Sequence, residues 1–258
     1  MKIFVLVKEV PDTYGDRKLN LETGLADRAA GDVVLDEITE RALEVALSHA
    51  DASEGTEVVA ISMAPEGSTA TVRRALAIGA ASAVHIADEQ LTGADLGLTA
   101  EVLAAAIRRG APDLVITGNL STDGSGGVIP VMLAEHLGWA QATALTTVEI
   151  GADAVTGTRA TDFGSQTVSA ALPAVISITE ALPDARFPNF KGIMAAKKKP
   201  VEVLLLADLD VSADPSAAPR TIMTAVAEKP PRSAGVKITD EGDAAQQLVD
   251  YLVQNRLV

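Results

Sequence analysis

The sequence contains no cysteine. Disulfides, thiolate zinc sites, iron–sulfur clusters and cysteine nucleophiles are therefore excluded by inventory, and a reducing compartment fits. Aromatic residues make up only 3% of the 258 positions while hydrophobic residues reach 48%, so the core must be aliphatic and closely layered. Basic residues are also scarce. With 21 Lys and Arg against 35 Asp and Glu, the formal charge is −14, which argues against a nucleic-acid binder because phosphate neutralisation needs a basic surface. The acidity itself requires no explanation beyond solubility. No apolar run has the length of a membrane span, and the run at the N-terminus is broken by Lys8 and Glu9, short of a signal-peptide core. The expectation is a cytoplasmic protein without membrane insertion.

Catalytic motifs are missing as well. There is no G-x-S-x-G elbow, no H-E-x-x-H and no calcium loop. His49, His85 and His136 each stand alone in their segments, so no catalytic residue and no metal ligand is assigned.

What is present is alternation. Residues 3–7 form an unbroken apolar run, the pattern of a strand buried on both faces. Ile38, Ala42, Leu43, Ala46, Leu47 and Ala50 then recur at helical spacing behind Asp36, which stands in N-cap position. Residues 58–63 predict a strand, and Val72, Ala75 and Leu76 predict a helix ended by Gly79 as its C-cap. Residues 83–87 predict a strand, Leu98, Val102, Leu103, Ala106 and Ile107 a helix stopped by Gly110 and Pro112, and residues 114–117 another strand. Such alternation implies βαβ units: an α/β fold with a mostly parallel sheet, helices on both faces, and ligands at the carboxyl ends of the strands.

Past Gly138 the texture changes. Residues 144–150, 155–160 and 167–171 predict short strands in a small antiparallel excursion beside the main sheet, and 174–178 and 201–206 return to buried-strand character. Residues 1–207 are expected to form the α/β body. Residues 208–258 are expected to form an extended C-terminal arm, irregular to position 237 and closed by a helix at 244–257 that turns Leu248, Tyr251, Leu252 and Leu257 inward.

Two segments carry candidate chemistry. The first follows the strand at 114–117 and reads Gly118-Asn119-Leu120-Ser121-Thr122-Asp123-Gly124-Ser125-Gly126-Gly127, running into Val128-Ile129-Pro130. Small residues let backbone N–H groups approach an anion, and the helix that follows offers its positive end. No lysine follows the glycines as in a Walker A loop, and Ile129 stands where the dinucleotide fingerprint requires glycine. Ser125-Gly126-Gly127 matches the start of the pyrophosphatase loop of nucleotide-activating enzymes, which would continue with Asp and Ser where Ile129 and Pro130 stand. A phosphate loop and a merely tight strand-to-helix turn are both open. Because the loop lacks Lys and Arg, a phosphate here would rely on backbone N–H groups and on hydroxyls such as Ser121, Thr122 or Ser125.

The second segment, 186–199, reverses the general acidity with Arg186, Lys191, Lys197, Lys198 and Lys199 and no acidic residue. Phe187 and Phe190 are two of the chain's four phenylalanines, and with Ile193 and Met194 they sit in a stretch too irregular for core. Aromatics ringed by cations suit a partner-docking loop. Lys197, Lys198 and Lys199 fit either docking or the solvated approach to the next strand.

Taken end to end, the chain resembles the β subunit of electron-transfer flavoproteins. The stretches Val5-Leu6-Val7-Lys8-Glu9-Val10-Pro11-Asp12, Ala75-Leu76-Ala77-Ile78-Gly79-Ala80 and Asp113-Leu114-Val115-Ile116-Thr117-Gly118 are typical of that family. More specific are the stretches from Gly157-Thr158-Arg159 through Leu172-Pro173-Ala174-Val175-Ile176-Ser177, and from Arg186-Phe187-Pro188 through Ile193-Met194 to Lys199. Phe163 departs from the family signature, which prefers Gly, Asp or Glu there.

The resemblance implies an electron-carrier subunit rather than an enzyme in its own right, paired with an α subunit that holds the redox-active FAD. It implies electron receipt from flavin-dependent dehydrogenases such as acyl-CoA dehydrogenases, and delivery to a quinone reductase or similar acceptor. It places an AMP without redox role at Leu6, at Asp36, Glu37, Ile38 and Thr39, at Met63, and along the loop from Gly118 to Ile129. Asp36-Glu37 stands where many relatives have Asn-Pro. Docking is assigned to Arg186, Phe187, Phe190, Lys191, Ile193 and Met194, with the C-terminal arm lying on the α subunit. Electron-bifurcating relatives hold a second FAD in place of AMP and usually carry a Thr-Ala-Gln-Val-Gly type run. Ser125-Gly126-Gly127-Val128-Ile129 stands there in this chain, which favours AMP. A stand-alone adenine-nucleotide-binding module is the remaining alternative.

Overall fold

Ile3, Val5 and Val7 pack into one hydrophobic layer while Phe4 packs into another, as the period-two side chains of a strand covered on both sides must. In the computed structural model, which describes every residue except Asp16, Pro215, Ala217, Ala218 and Pro219, that strand is β1 (Lys2–Leu6). A short antiparallel ribbon follows, β2 (Glu9–Pro11) against β3 (Val33–Leu35). Next come α1 (Glu37–Ala52), β4 (Glu57–Met63), α2 (Thr69–Ile78), β5 (Ser82–Ile86), α3 (Leu96–Gly110) and β6 (Leu114–Gly118). Beyond the small-residue loop lie α4 (Ile129–Leu137), β7 (Ala140–Ile150), β8 (Ala154–Thr161), β9 (Gly164–Ala171) and β10 (Ala174–Ile178). The chain finishes with α5 (Phe190–Ala196), β11 (Val201–Leu204) and α6 (Ala244–Gln254).

Among the described residues one sheet runs in the order β11-β5-β4-β1-β6-β10-β7-β8-β9. From β11 to β7 the neighbours are parallel, and β8 and β9 complete the sheet antiparallel. Residues of α1 and α2 pack on one face, and residues of α3 and α4 on the other. This is the expected α/β class. Burial drives it: α3 alone inserts Leu98, Val102, Leu103 and Ile107 beside Phe4, Val115 and Val175, each large aliphatic side chain contributing roughly 1.5–3 kcal/mol. Because β1 has β4 on one side and β6 on the other, the connections diverge there, and a crevice opens at the carboxyl ends of these strands.

Several elements differ from expectation for identifiable reasons. The antiparallel strands are longer than predicted and extend the main sheet instead of standing beside it. The first half of β7 pairs with β10 and the second half with β8. The change of partner falls at Leu145, next to Ala144, whose φ of 56° kinks the strand while its N–H reaches the Ser177 hydroxyl at 2.8 Å. Gly79 closes α2 with φ 163°, an extended value open to any residue. Its absent side chain matters for another reason, since a Cβ there would stand 2.7 Å from Leu47 Cδ1. Asp36 occupies the N-cap position of α1, but its carboxylate makes no capping bond and turns to the loop described below.

The segment after Arg186 is not wholly irregular. Asn189 caps the short helix α5 by accepting the Gly192 N–H at 2.8 Å, and Ala196 is buried. β11 stops at Leu204, two residues early. The chain divides into two compact units, Met1–Thr224 and Ala225–Val258. The first extends beyond position 207 because Val211 and Ala213 pack against the core and Arg220 bonds Glu101 at 3.0 Å. In the second unit α6 buries none of its residues: Leu248 and Tyr251 are exposed and Leu252 half-buried, and Leu257 beyond it is exposed. The expected inward face finds no cover within that unit.

Candidate functional site

The carboxyl ends of β1, β4, β5 and β6 surround a cavity of about 650 Å³, within the usual range of small-molecule sites. Leu6, Ile38, Thr39, Met63 and Gly118 line it, with Asn119, Leu120, Ser121, Gly124, Gly126, Gly127 and Ile129 of the loop. Asp36, Glu37, Thr122, Asp123, Ser125 and Val128 fall outside that lining. Gly118 lies against Ile38, where a Cβ would stand 2.8 Å from Cγ2 and force Ile38 to shift.

The loop is held by its own polar groups. Ser125 N–H bonds the Ser121 carbonyl at 3.0 Å, and Gly124 N–H bonds Asp123 Oδ1 at 2.6 Å. From outside, Asp36 Oδ2 accepts the Thr122 N–H at 3.0 Å. Asp36 is 1% exposed, and its Oδ1 and the buried Thr122 Oγ1 have no hydrogen-bond partner. Burial pushes the Asp36 carboxyl above the usual range, the Thr122 amide opposes that rise, and the Asp123 charge adds to it. Thr122 thus meets Asp36 through its backbone N–H, while its hydroxyl is buried.

A cation missing from the loop's own sequence arrives from the end of β1. Lys8 Nζ lies 2.7 Å from Asp123 Oδ1 and 3.2 Å from Ser121 Oγ. Burial works against the Asp123 charge, but Lys8, Ser121 and the Gly124 amide outweigh it and hold the carboxyl below its ordinary value. Arg17 adds a further contact by donating to the Thr122 carbonyl. The first turn of α4 leaves N–H groups without intrahelical partners beside Gly126 and Gly127. Ile38, Met63, Ile86, Leu91 and Leu103 supply apolar walls. Apolar walls with glycine-rich backbone and a lysine at one end fit a nucleotide.

Sequence reasoning missed other parts of the wall: Arg28, the turn Ala64-Pro65, Asp88, and residues 91–94 before α3 with Leu96. Lys8 was findable, since it follows the first strand at the end where such folds bind ligands. Arg28 gave no signal. It lies in an irregular segment, and its Nη1 donates to the Glu9 carbonyl at 3.2 Å. The Glu9 carboxylate in turn accepts from Ser68 and Thr71 at 2.7 and 2.5 Å, a buried polar knot behind the cavity. His85 is buried with Nε2 3.1 Å from the Ala64 carbonyl, so it serves the core.

The basic segment lies elsewhere in the same unit. Phe187 and Phe190 are 90% and 79% exposed, and Ile193 and Met194 are exposed beside them. Lys191, Lys197 and Lys198 are also exposed. Arg186 is otherwise engaged: Nε and Nη2 fork onto the Glu44 carboxylate at 2.8 Å each, and Nη1 bonds Asp51 at 2.8 Å. Burial opposes the Glu44 charge, yet the forked Arg186 bonds lower its pKa overall. Lys199 Nζ donates to the carbonyls of Leu76, Gly79 and Ala80 at 2.9, 3.2 and 2.6 Å, closing the end of α2. This lysine displays neither docking nor a solvated approach: its ammonium bonds its own chain.

Among the described residues there is no cluster of metal-binding side chains, and no helix is long and apolar enough to cross a membrane. The electron transfer flavoprotein domain matches residues 23–209. Over 263 aligned residues the chain is 46% identical to the electron transfer flavoprotein subunit beta of Mycobacterium bovis, covering 99% of both chains. It is 45% identical to the subunit beta of Mycobacterium leprae over 265 residues, again 99% of both. Similarity to the subunit beta of Syntrophomonas wolfei is 31% identity over 253 residues, 98% of this chain and 96% of that one. A domain match across most of the chain, joined to relatives aligned over nearly their whole length, places this protein in the electron transfer flavoprotein family as a β subunit.

Proposed function

We propose that this β subunit holds one AMP in the cavity at the carboxyl ends of β1, β4, β5 and β6, pairs with an FAD-bearing α subunit, and docks flavin-dependent dehydrogenases through residues 186–194. The observation that carries the reading is the cavity itself, with apolar walls at one end and the loop, Lys8 and the start of α4 at the other. The phosphate rests against the amides of Gly126, Gly127 and the first turn of α4, while the base lies among Ile38, Met63 and Leu91. Lys8 is already paired with Asp123, so the loop offers little uncompensated positive charge. One phosphate suits it better than the two of a dinucleotide. That balance favours AMP over a second FAD.

The FAD of the α subunit supplies the electron chemistry when bound. This chain contributes position and recognition. Phe190 and Phe187 present exposed aromatic surface that a partner pocket would bury, and Lys191 adds a cation for acidic partner surfaces such as those of acyl-CoA dehydrogenases. A quinone reductase or similar protein takes the electrons onward. The exposed apolar side chains of α6 are covered by the α subunit. Co-purification with α followed by acid extraction tests cofactor and partner together. The expected yield is one AMP and one FAD per heterodimer; two FAD and no AMP would overturn the nucleotide assignment.

A further inference from the structure

Two loops contribute to the wall of the cavity. One is a turn in which Leu19 bridges Ala26 and Asn20 N–H bonds the Leu25 carbonyl at 2.8 Å, bringing Leu25, Ala26 and Arg28 to the cavity. The other is the segment of Leu91, Thr92, Gly93, Ala94 and Leu96 ahead of α3. The walls lie close to each other: a Cβ on Gly93 would stand 3.4 Å from Leu25 Cδ2.

A third piece of chain ties both walls from outside. Met223 sits over Gly24, where a Cβ would stand 2.6 Å from Met223 Cγ. Gly24 has φ +71°, so both its backbone and its bare α-carbon suit that contact. Two residues earlier, Thr221 N–H donates to Asp95 Oδ2 at 2.6 Å, and Arg220 Nη2 bonds Glu101 Oε2 at 3.0 Å. Asp95 is the N-cap of α3, its other oxygen accepting the Leu98 N–H at 2.8 Å. One carboxylate therefore fixes the start of α3 and receives the outer strap. The Leu98 and Thr221 amides both favour its charged form, which keeps the bond charge-assisted. Ile222 and Met223 are 71% and 58% exposed, so the strap lies at the surface and can lift without opening the core.

We propose that residues 220–224 are a latch across the mouth of the nucleotide cavity, joining the wall at Gly24 to the wall at Asp95 and setting the rate at which nucleotide enters and leaves. The latch rests on the nucleotide reading above for its ligand, and on the strap geometry for its mechanics. A latch controls access more than affinity. Loosening it speeds entry and exit together, whereas losing a ligand contact speeds exit alone.

The test uses the full chain in its purified complex, with Thr221→Pro to delete the donor N–H and Met223→Ala to unload Gly24. Two quantities are read: association and dissociation of labelled AMP in a chase, and hydrogen exchange of the amides at 19–27 and 91–95. The expected result is faster amide exchange in both walls, with both AMP rates raised about tenfold and the dissociation constant nearly unchanged. Unchanged amide exchange in a folded Met223→Ala protein overturns the latch. So does a faster off rate with an unaltered on rate. If the wild-type complex takes up no AMP, the nucleotide reading fails on its own, and the amide exchange still decides whether the strap holds the walls.

Discussion

Helices α3 and α6 are both amphipathic, yet they end differently. α3 buries Leu98, Val102, Leu103, Ala106 and Ile107 against the sheet, while α6 carries Leu248, Val249, Tyr251 and Val253 and buries none of its residues. Helical spacing specifies which side chains share a face. It does not say which molecule covers that face. α3 is covered by its own chain, and the proposed cover for α6 is the α subunit.

The contrast can be broken by truncation. Leu103→Ala should cost about 2–5 kcal/mol in urea unfolding, as for other large-to-small core changes. Leu248→Ala should change the stability of the free chain by less than about 0.5 kcal/mol while weakening association with α. Similar stability losses at both sites would show that α6 packs within its own chain after all.

A finer version of the contrast sets against each other the loop carboxylate Asp123 and Asp36, which holds the loop from outside. Asp123 has its pKa depressed, so its stabilisation is present above the ordinary carboxylate value and lost as pH falls through its folded value. Asp36 has its pKa raised, so its contribution is complete below the ordinary value and lost as pH rises through its folded value. Asp123→Asn should then lose about 1 kcal/mol at pH 7, a modest figure because Lys8 is partly exposed, and less in acid. Asp36→Asn, whose amide oxygen still accepts the Thr122 N–H, should be relatively more stable at pH 7 than at pH 4. Urea midpoints between pH 4 and 8 check both signs, and parallel profiles would remove the distinction.

The smallest effect on stability is expected at Phe190. Its alanine variant should unfold within about 0.5 kcal/mol of the parent, because the ring is 79% exposed. The dehydrogenase-coupled rate should nevertheless fall by about thirtyfold, the scale of an interface hot spot of roughly 2 kcal/mol. A lowered melting temperature with a normal rate would assign the ring to packing.

Legibility in the sequence followed the same division. The central strands announced themselves because burial on both faces leaves continuous apolar runs such as residues 3–7. The ribbon of β2 and β3 did not, being three residues a side with Val33 and Val34 exposed. The loop at 118–129 is visible as a composition, and Lys8 is legible as a residue at the ligand end of the first strand, but its pairing with Asp123 is not, because the two are distant in sequence and meet only through the pairing of β1 with β6. Asp36 was recognised as a helix boundary. Its bond to Thr122, however, depends on how the loop folds back across α1, a tertiary fact that no local pattern encodes.

The two engaged cations of the basic segment bear on how fast partners meet. Arg186 is matched by Glu44 and Asp51, and the Lys199 ammonium has all three donors on carbonyls. Among the described residues, Lys191, Lys197 and Lys198 have no carboxylate partner. A charge balanced at close range by a carboxylate adds little to the steering field, and the rest is felt mainly within the Debye length of about 8 Å at physiological ionic strength. The salt dependence of encounter with an acidic partner should therefore reflect four positive charges, since the carbonyls around Lys199 are neutral, rather than the five that the sequence displays between positions 186 and 199.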